Sequence, residues 1–324
     1  MVDLAQSTNL ESIKASLSPG ALAVRRFRKH RMAVVGMLLL VGVFLYVTVT
    51  GPFLKGYCAP IKQVVRGEAW ANCNDTSLKL MPPSREHPFG TDVIGRDILA
   101  RTVYGGQISM MIGIFAASVE VLIGVMIGSI AAYYGGWLDS LLMRFTEAML
   151  IIPSLFLLII GARFLGSGLP DVNIFGRQIT GNVFVIILII GFTAWMYTAR
   201  IIRANILSLR ELDFISASRA LGGSDSRIIF KHLLPNTTAP LIVGATLGVA
   251  AAIVAEAYVS FLGLGVQGAT ATWGNMLDGA YRYLDTAPWL WFFPGTMILL
   301  TVLGINFVGD GLRDAFDPRS GRHS

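Results

Sequence analysis

A chain of 324 residues with 54% hydrophobic and only 14% charged side chains carries more apolar surface than a soluble domain of that length can bury, and its mean hydropathy of +0.62 agrees. It reads as a polytopic membrane protein. The net charge of +6 does not point to nucleic acid, because the basic residues fall in short clusters beside apolar runs, the pattern of membrane orientation.

Residues 1–31 are polar and end in the cluster Arg25-Arg-Phe-Arg-Lys-His-Arg31, directly before an apolar run from Met32 to about Leu54. With no small-residue cleavage site and a long apolar core, this reads as an uncleaved first span. The basic cluster holds the amino terminus in the cytoplasm by the positive-inside rule.

Further runs of the roughly 20 residues needed to cross about 30 Å of hydrocarbon lie near 108–134, 141–165, 183–203, 238–262 and 289–309. Six spans put both termini on the cytoplasmic side. The expected division is therefore 1–107, comprising tail, first span and external loop, and 108–324, a five-helix core.

The loop of about 55–107 holds both cysteines, Cys58 and Cys73, without metal-ligand spacing, and sequence leaves a disulfide and two free thiols open. The same loop ends in His87-Pro-Phe-Gly-Thr-Asp-Val-Ile-Gly-Arg-Asp-Ile-Leu-Ala-Arg-Thr-Val-Tyr-Gly-Gly106, where Thr91 or Asp92 is expected to cap a short surface helix carrying Ile94, Ile98, Leu99 and Val103.

Within the spans, Gly124-xxx-Gly128 and Gly244-xxx-Gly248 supply small-residue packing faces, within the chain or between subunits. Ionisable residues in hydrocarbon cost about 2.5–3.5 kcal/mol each and need partners or water. Arg144 and Glu147 share a helical face and can pair. Glu120 and Glu256 lack a local partner, which makes them candidates for interhelical hydrogen bonds or for lining a pathway.

Between the fourth and fifth spans the polar stretch Arg210–Pro235 reads as two short helices. Asp213 can cap the first, whose apolar positions are Phe214, Ile215, Ala217, Ala220 and Leu221, and Gly222-Gly223 stops it. Ser224 caps the second, which groups Ile228, Ile229, Phe230, Leu233 and Leu234 and ends before Pro235. Both are shorter than the roughly 12 to 15 residues that make an isolated helix even marginal, so the pair must dock on something. The segment 256–295, dense in glycine and proline, is an external loop that can partly re-enter the membrane.

No Gly-Lys dipeptide occurs, so the chain has no phosphate loop for ATP. The histidines His30, His87, His232 and His323 form no zinc motif, and Gly166-Ser167-Gly168 lacks the setting of a nucleophile elbow. No catalytic residue, metal or cofactor is expected.

Several stretches carry a family resemblance. The Arg210–Pro235 loop resembles the "EAA" loop of bacterial ABC-importer membrane subunits, with Ser216-Ala217-Ser218 in place of Glu-Ala-Ala, Gly222 as the glycine and Leu234-Pro235 as the closing pair. The string from His87 to Gly106 looks like the "HPFGTDxxGRDxxSRxxYG" signature of dipeptide and oligopeptide importers, with Ala100 where the pattern has Ser. "ExxxSFLGLG" from Glu256 and "NxxGDxLRDxxDPR" from Asn306 resemble the second, C-type permease of the same pair.

The resemblance covers about residues 20–320 apart from the Cys58–Cys73 insert. It implies an all-α, six-span, type I importer permease in a bacterial inner membrane, with an ATPase-docking loop formed by Asp213, Phe214, Ser216, Ala217, Ser218, Ala220, Gly222, Leu234 and Pro235. The implied partners are a second permease, two ATP-binding subunits that bind the ATP, and an extracytoplasmic substrate-binding protein. The rival reading is a proton-coupled secondary carrier using Glu120 or Glu256. Such carriers show broken spans at matching positions in two halves, and the sequence has no such symmetry.

Overall fold

Apolar runs punctuated by proline, glycine and short polar caps fold into a helical bundle with two small hairpins in its loops. The computed structural model describes residues 19–165, 169–174, 177–266 and 270–317, so Gly166-Ser167-Gly168, His323 and the last residues of the C-terminal motif lie outside it.

A short amphipathic helix, α1 (Pro19–Lys29), precedes the first long helix, α2 (Arg31–Val49). His30 separates them. Its Nδ1 accepts the Ala33 N–H at 3.1 Å and caps α2, while its Nε2 lies 3.3 Å from Asp314.

The next loop holds a hairpin of β1 (Lys55–Cys58) and β2 (Gln63–Arg66), paired antiparallel, followed by a single helical turn, α3 (Glu68–Ala71). Cys58 and Cys73 are bonded, with Cα atoms 5.8 Å apart, and pack with Trp70 and Ala100. A crosslink closing a separation of 15 residues stabilises by about 3 kcal/mol in the chain-entropy account. We therefore expect intact cells to yield thiol labelling of this chain only after reduction, and reduction to make the 55–97 loop markedly more sensitive to protease. Ready labelling without a reductant would remove the bond.

Helix α4 runs unbroken over Ile98–Tyr134, and at 1.5 Å per residue it is about 55 Å long, well beyond the hydrocarbon thickness. The separate surface helix expected from Thr91 or Asp92 is absent. Asp97 is the cap, accepting the Ala100 N–H at 2.7 Å, and Ile98, Leu99 and Val103 are simply the first turns of α4. Asp92 instead holds a tight turn by accepting the Ile94 and Arg96 N–H groups, each at 2.9 Å.

The expected third span is likewise not one helix. It comprises α5 (Gly136–Ile151) and α6 (Ser154–Leu165), bent by 87°. Pro153 has no N–H to continue the ladder and forces Ile152 to extended geometry, φ −76° and ψ 121°. Helix α7 (Gly181–Leu209) follows the hairpin of β3 (Val172–Ile174) and β4 (Arg177–Ile179).

After α7 come α8 (Asp213–Ala220), α9 (Asp225–Arg227), a π-helical turn over Ile228–Leu233, and α10 (Leu234–Asn236). The bundle closes with α11 (Thr238–Phe261), the short α12 (Trp273–Met276) and α13 (Trp289–Phe316). Among the described residues, five helices are long and apolar enough to cross a membrane, and the bent α5–α6 pair makes a sixth crossing if it counts as one.

Contacts define two ends of the bundle. At one, Arg26 of α1 donates to the Asp317 carbonyl at 2.9 Å and Arg210 donates to the Ala132 carbonyl at 2.8 Å. At the other, the loop after α11 plunges between the helices. Trp273 is fully buried, its backbone N–H donating to Ser109 Oγ at 3.0 Å and its indole N–H to the Thr102 carbonyl at 2.8 Å. The expected re-entry is thus into the protein bundle, where irregular backbone finds partners.

Candidate functional site: the paired short helices and the adjoining cavity

Helix α8 starts at Asp213 rather than after it. Leu212 has the extended cap geometry, no side chain caps the helix, and Asp213 sits in the first turn where the dipole favours an anion. Ser224 occupies the cap position of α9 without donating or accepting a cap bond from its side chain. The second helix also does not stop before Pro235. A widened π turn absorbs the residues up to Leu233, and Pro235 falls in the first turn of α10, where a missing N–H costs little.

The pair is clamped to the bundle along one side. Ile215, Ile228 and Leu233 are fully buried and cluster with Ile202 and Ile206 of α7 and Ala132 and Tyr133 of α4. Polar contacts fix the register: Tyr133 Oη donates to Asp225 Oδ1 at 2.6 Å, and the Arg219 guanidinium lies 5.3 Å over the Tyr133 ring. Nearby, Arg203 makes two 2.6 Å bonds to Asp139, tying α7 to α5. Arg210 also pairs with the neighbouring Glu211 at 3.1 Å. Arg144 and Glu147, expected to pair, are both exposed and form no ion pair with each other among the described residues.

The other side of the pair is bare. Phe214, Ser216, Ala217 and Ala220 are exposed, and Leu221 and Phe230 stand out at 89% and 70% exposure. Ser218 and Leu234 are half-buried and Pro235 is exposed. Gly222 has φ +78°, and the Gly223 N–H reaches back to the Ser218 carbonyl while the Gly222 N–H reaches Arg219, the two bonds of a Schellman cap. Large apolar side chains beside small ones on an anchored support form a patch with the character of a binding surface.

Beside this platform a cavity of about 530 Å³ opens between α4, α7, α11 and the α5–α6 bend. Glu120 lines it, accepting from Thr198 Oγ1 at 2.9 Å, with Thr193, Tyr197, Pro153 and Gly244 around the same space. Glu256 is elsewhere. It is 1% exposed and accepts from Ser260 and Thr272, each at 2.7 Å, with Ser109 at 3.4 Å, so it ties the re-entrant loop to α4 and α11.

The two glycine motifs divide in role. Cβ atoms on Gly124 and Gly128 would strike Thr198, Ala199 and Ile202, so that face packs α4 on α7 inside the chain rather than between subunits. Gly244 faces open space and Gly248 sits against Glu120.

Nothing in the sequence singles out Tyr133, which anchors the platform, or Arg203, Asp139 and Arg210, which tie α7 to α5 and α4 beside it. Tyr133 lies 92 residues from its partner Asp225, Arg203 64 from Asp139 and Arg210 78 from Ala132, and no local pattern marks such pairs.

Comparison with known proteins bears on this arrangement. Residues 124–322 match the model of the family described as "Binding-protein-dependent transport system inner membrane component". The chain belongs to that family. Residues 18–64 of this transport component also match the N-terminal TM domain of oligopeptide transport permease C. The dipeptide transport system permease protein DppC of Alkalihalophilus pseudofirmus is 38% identical over 94% of this chain and 91% of its own length. Oligopeptide transport system permease protein OppC of Bacillus subtilis is 38% identical over 94% and 92%, and DppC of the same organism 39% over 95% and 89%. The α8–α10 platform lies within the family-matched segment, as do all the cavity-lining residues except Glu120.

Proposed function

We propose that the chain is one of two permease subunits of an ABC importer for di- or oligopeptides, powered by two ATP-binding subunits that dock on the α8–α10 platform. The observation that carries this reading is the two-sided build of that platform. One side is anchored to α4 and α7 through Ile215, Ile228 and Leu233, and the other presents Phe214, Ala217, Leu221 and Phe230 to solvent. A push on the exposed side is transmitted to the helices that line the Glu120 cavity. The peptide cargo rests on the printed names of the relatives.

In this reading the platform and both termini face the cytoplasm, where the basic residues of α1 hold them, and the disulfide loop faces outward to a substrate-binding protein. The cavity becomes part of a path completed by the second permease, open alternately to either side.

The test is transport by the complete system in proteoliposomes, with a labelled dipeptide, the extracytoplasmic binding protein and ATP inside the vesicle. Uptake that needs both ATP and this chain supports the proposal. Uptake that follows a proton gradient and ignores ATP would instead establish a secondary carrier.

A further inference from the structure

At the end of the bundle opposite the platform, the turn before α4 and the segment joining α12 to α13 enclose a one-sided cavity of about 190 Å³. Arg101, in the first turn of α4, lines it. Arg101 is only 3% exposed, yet its Nη1 is buried with no hydrogen-bond partner. The carboxylate beside it is already committed. Asp92 Oδ1 accepts two backbone N–H groups and its Oδ2 takes Arg96 Nε at 2.6 Å, leaving Arg101 Nε 4.0 Å away, outside hydrogen-bond reach. Asp92 at 4.0 Å offsets part of the Arg101 charge, yet Nη1 still lacks the acceptor that a buried donor needs.

The surroundings say which anion fits. Arg96 and Arg282 stand at the same cavity with Asp92 and Asp278, so arginine is in excess. Ile98, Met276 and Leu290 supply an apolar wall. A planar group that accepts two parallel N–H bonds matches the guanidinium fork, and the wall suits a short hydrocarbon attached to it.

We propose that this cavity is a carboxylate-binding site with Arg101 as its anchor. The carboxylate comes either from the free end of a small molecule such as a peptide or from an acidic side chain of a protein docked on this face. The geometry of the site stands apart from the importer reading, and the first arm of the test does not depend on transport.

The test uses the full chain in lipid nanodiscs and fluorine NMR of 3,3,3-trifluoropropionate against its uncharged amide. The acid is expected to bind and the amide not. Arg101→Gln should weaken the acid by about tenfold or more, the loss of a bidentate charged pair, and the exposed rim variant Arg282→Gln, which carries little folding risk, by a few fold. Competition then separates the sources. Displacement by dialanine but not dialanine amide assigns the carboxylate to a free peptide terminus, and displacement only by the extracytoplasmic binding protein assigns it to an acidic side chain. Either outcome supports the site. Equal behaviour of acid and amide with the unaltered chain, or acid binding undiminished in both variants, overturns it.

Discussion

If the proposed docking holds, a chain carrying Gly222→Trp is expected to insert and accumulate normally while losing at least about tenfold of its transport, because the lesion falls on the docking surface and not on the bundle. Gly222 has φ +78°, where a residue with a Cβ costs about 1–2 kcal/mol. A Cβ there meets nothing within 4 Å, so the indole has no clash with its own chain and projects into the space beside Leu221. The strain opens the Schellman cap and turns α8 relative to α9, while the ring holds a docked partner off the surface. Since about 1.4 kcal/mol is a factor of ten in an equilibrium, even the lower part of this cost is visible once partner contact is also lost. Labelled-dipeptide uptake and co-purification of the ATP-binding subunits should fall together, with the isolated ATP-binding subunits hydrolysing ATP as before.

The second large effect is on folding. Gly128→Leu places a side chain against the Ala199 carbonyl oxygen, with its Cβ 3.1 Å from Ile202 Cβ, where α4 packs on α7. The obstacle is backbone, which cannot swing aside as a side chain can. Overpacking of this kind costs about 1–3 kcal/mol or more, and here it also pries apart the Ile202 and Ile206 surface on which α8 and α9 rest. The yield of monodisperse protein and its melting temperature, followed by fluorescence-detected gel filtration, should both drop sharply. Gly244→Leu is the matched control. A Cβ at Gly244 meets nothing within 4 Å, so that variant should retain wild-type yield and melting temperature. Equal tolerance of both leucines would mean that α4 and α7 do not pack as described.

What can be read from the sequence follows what is locally encoded. The apolar runs and their punctuation announce a helical membrane protein, and the Gly222 stop is legible because only glycine readily takes its backbone angle. The break at Pro153 is hidden because the residues on both sides are apolar, and hydropathy registers length but not direction. The start of α4 is obscured for a related reason. Asp92 and Asp97 are both good cap residues, and only the turn closed by Asp92 on Ile94 and Arg96 decides between them. Helix α1 is too short for a hydropathy window. It docks beside the end of α13, nearly three hundred residues away, where Arg26 donates to the Asp317 carbonyl. The partners of Glu120 and Glu256 are equally out of sight, since Thr198 and Ser109 lie 78 and 147 residues distant.

In the proposed function the exposed side of the α8–α10 platform receives an ATP-hydrolysing subunit. The most direct test is a crosslink from Ala217, which is exposed on that side. The sequence holds two cysteines, and they are bonded to each other, so Ala217→Cys adds a single reactive thiol. With a short thiol-to-amine crosslinker in native membranes, the account predicts an adduct of this chain with an ATP-binding protein, lost in the Gly222→Trp background. An introduced thiol that forms no adduct with any ATP-binding protein, and that reacts instead with a lipid-embedded reagent, would contradict it.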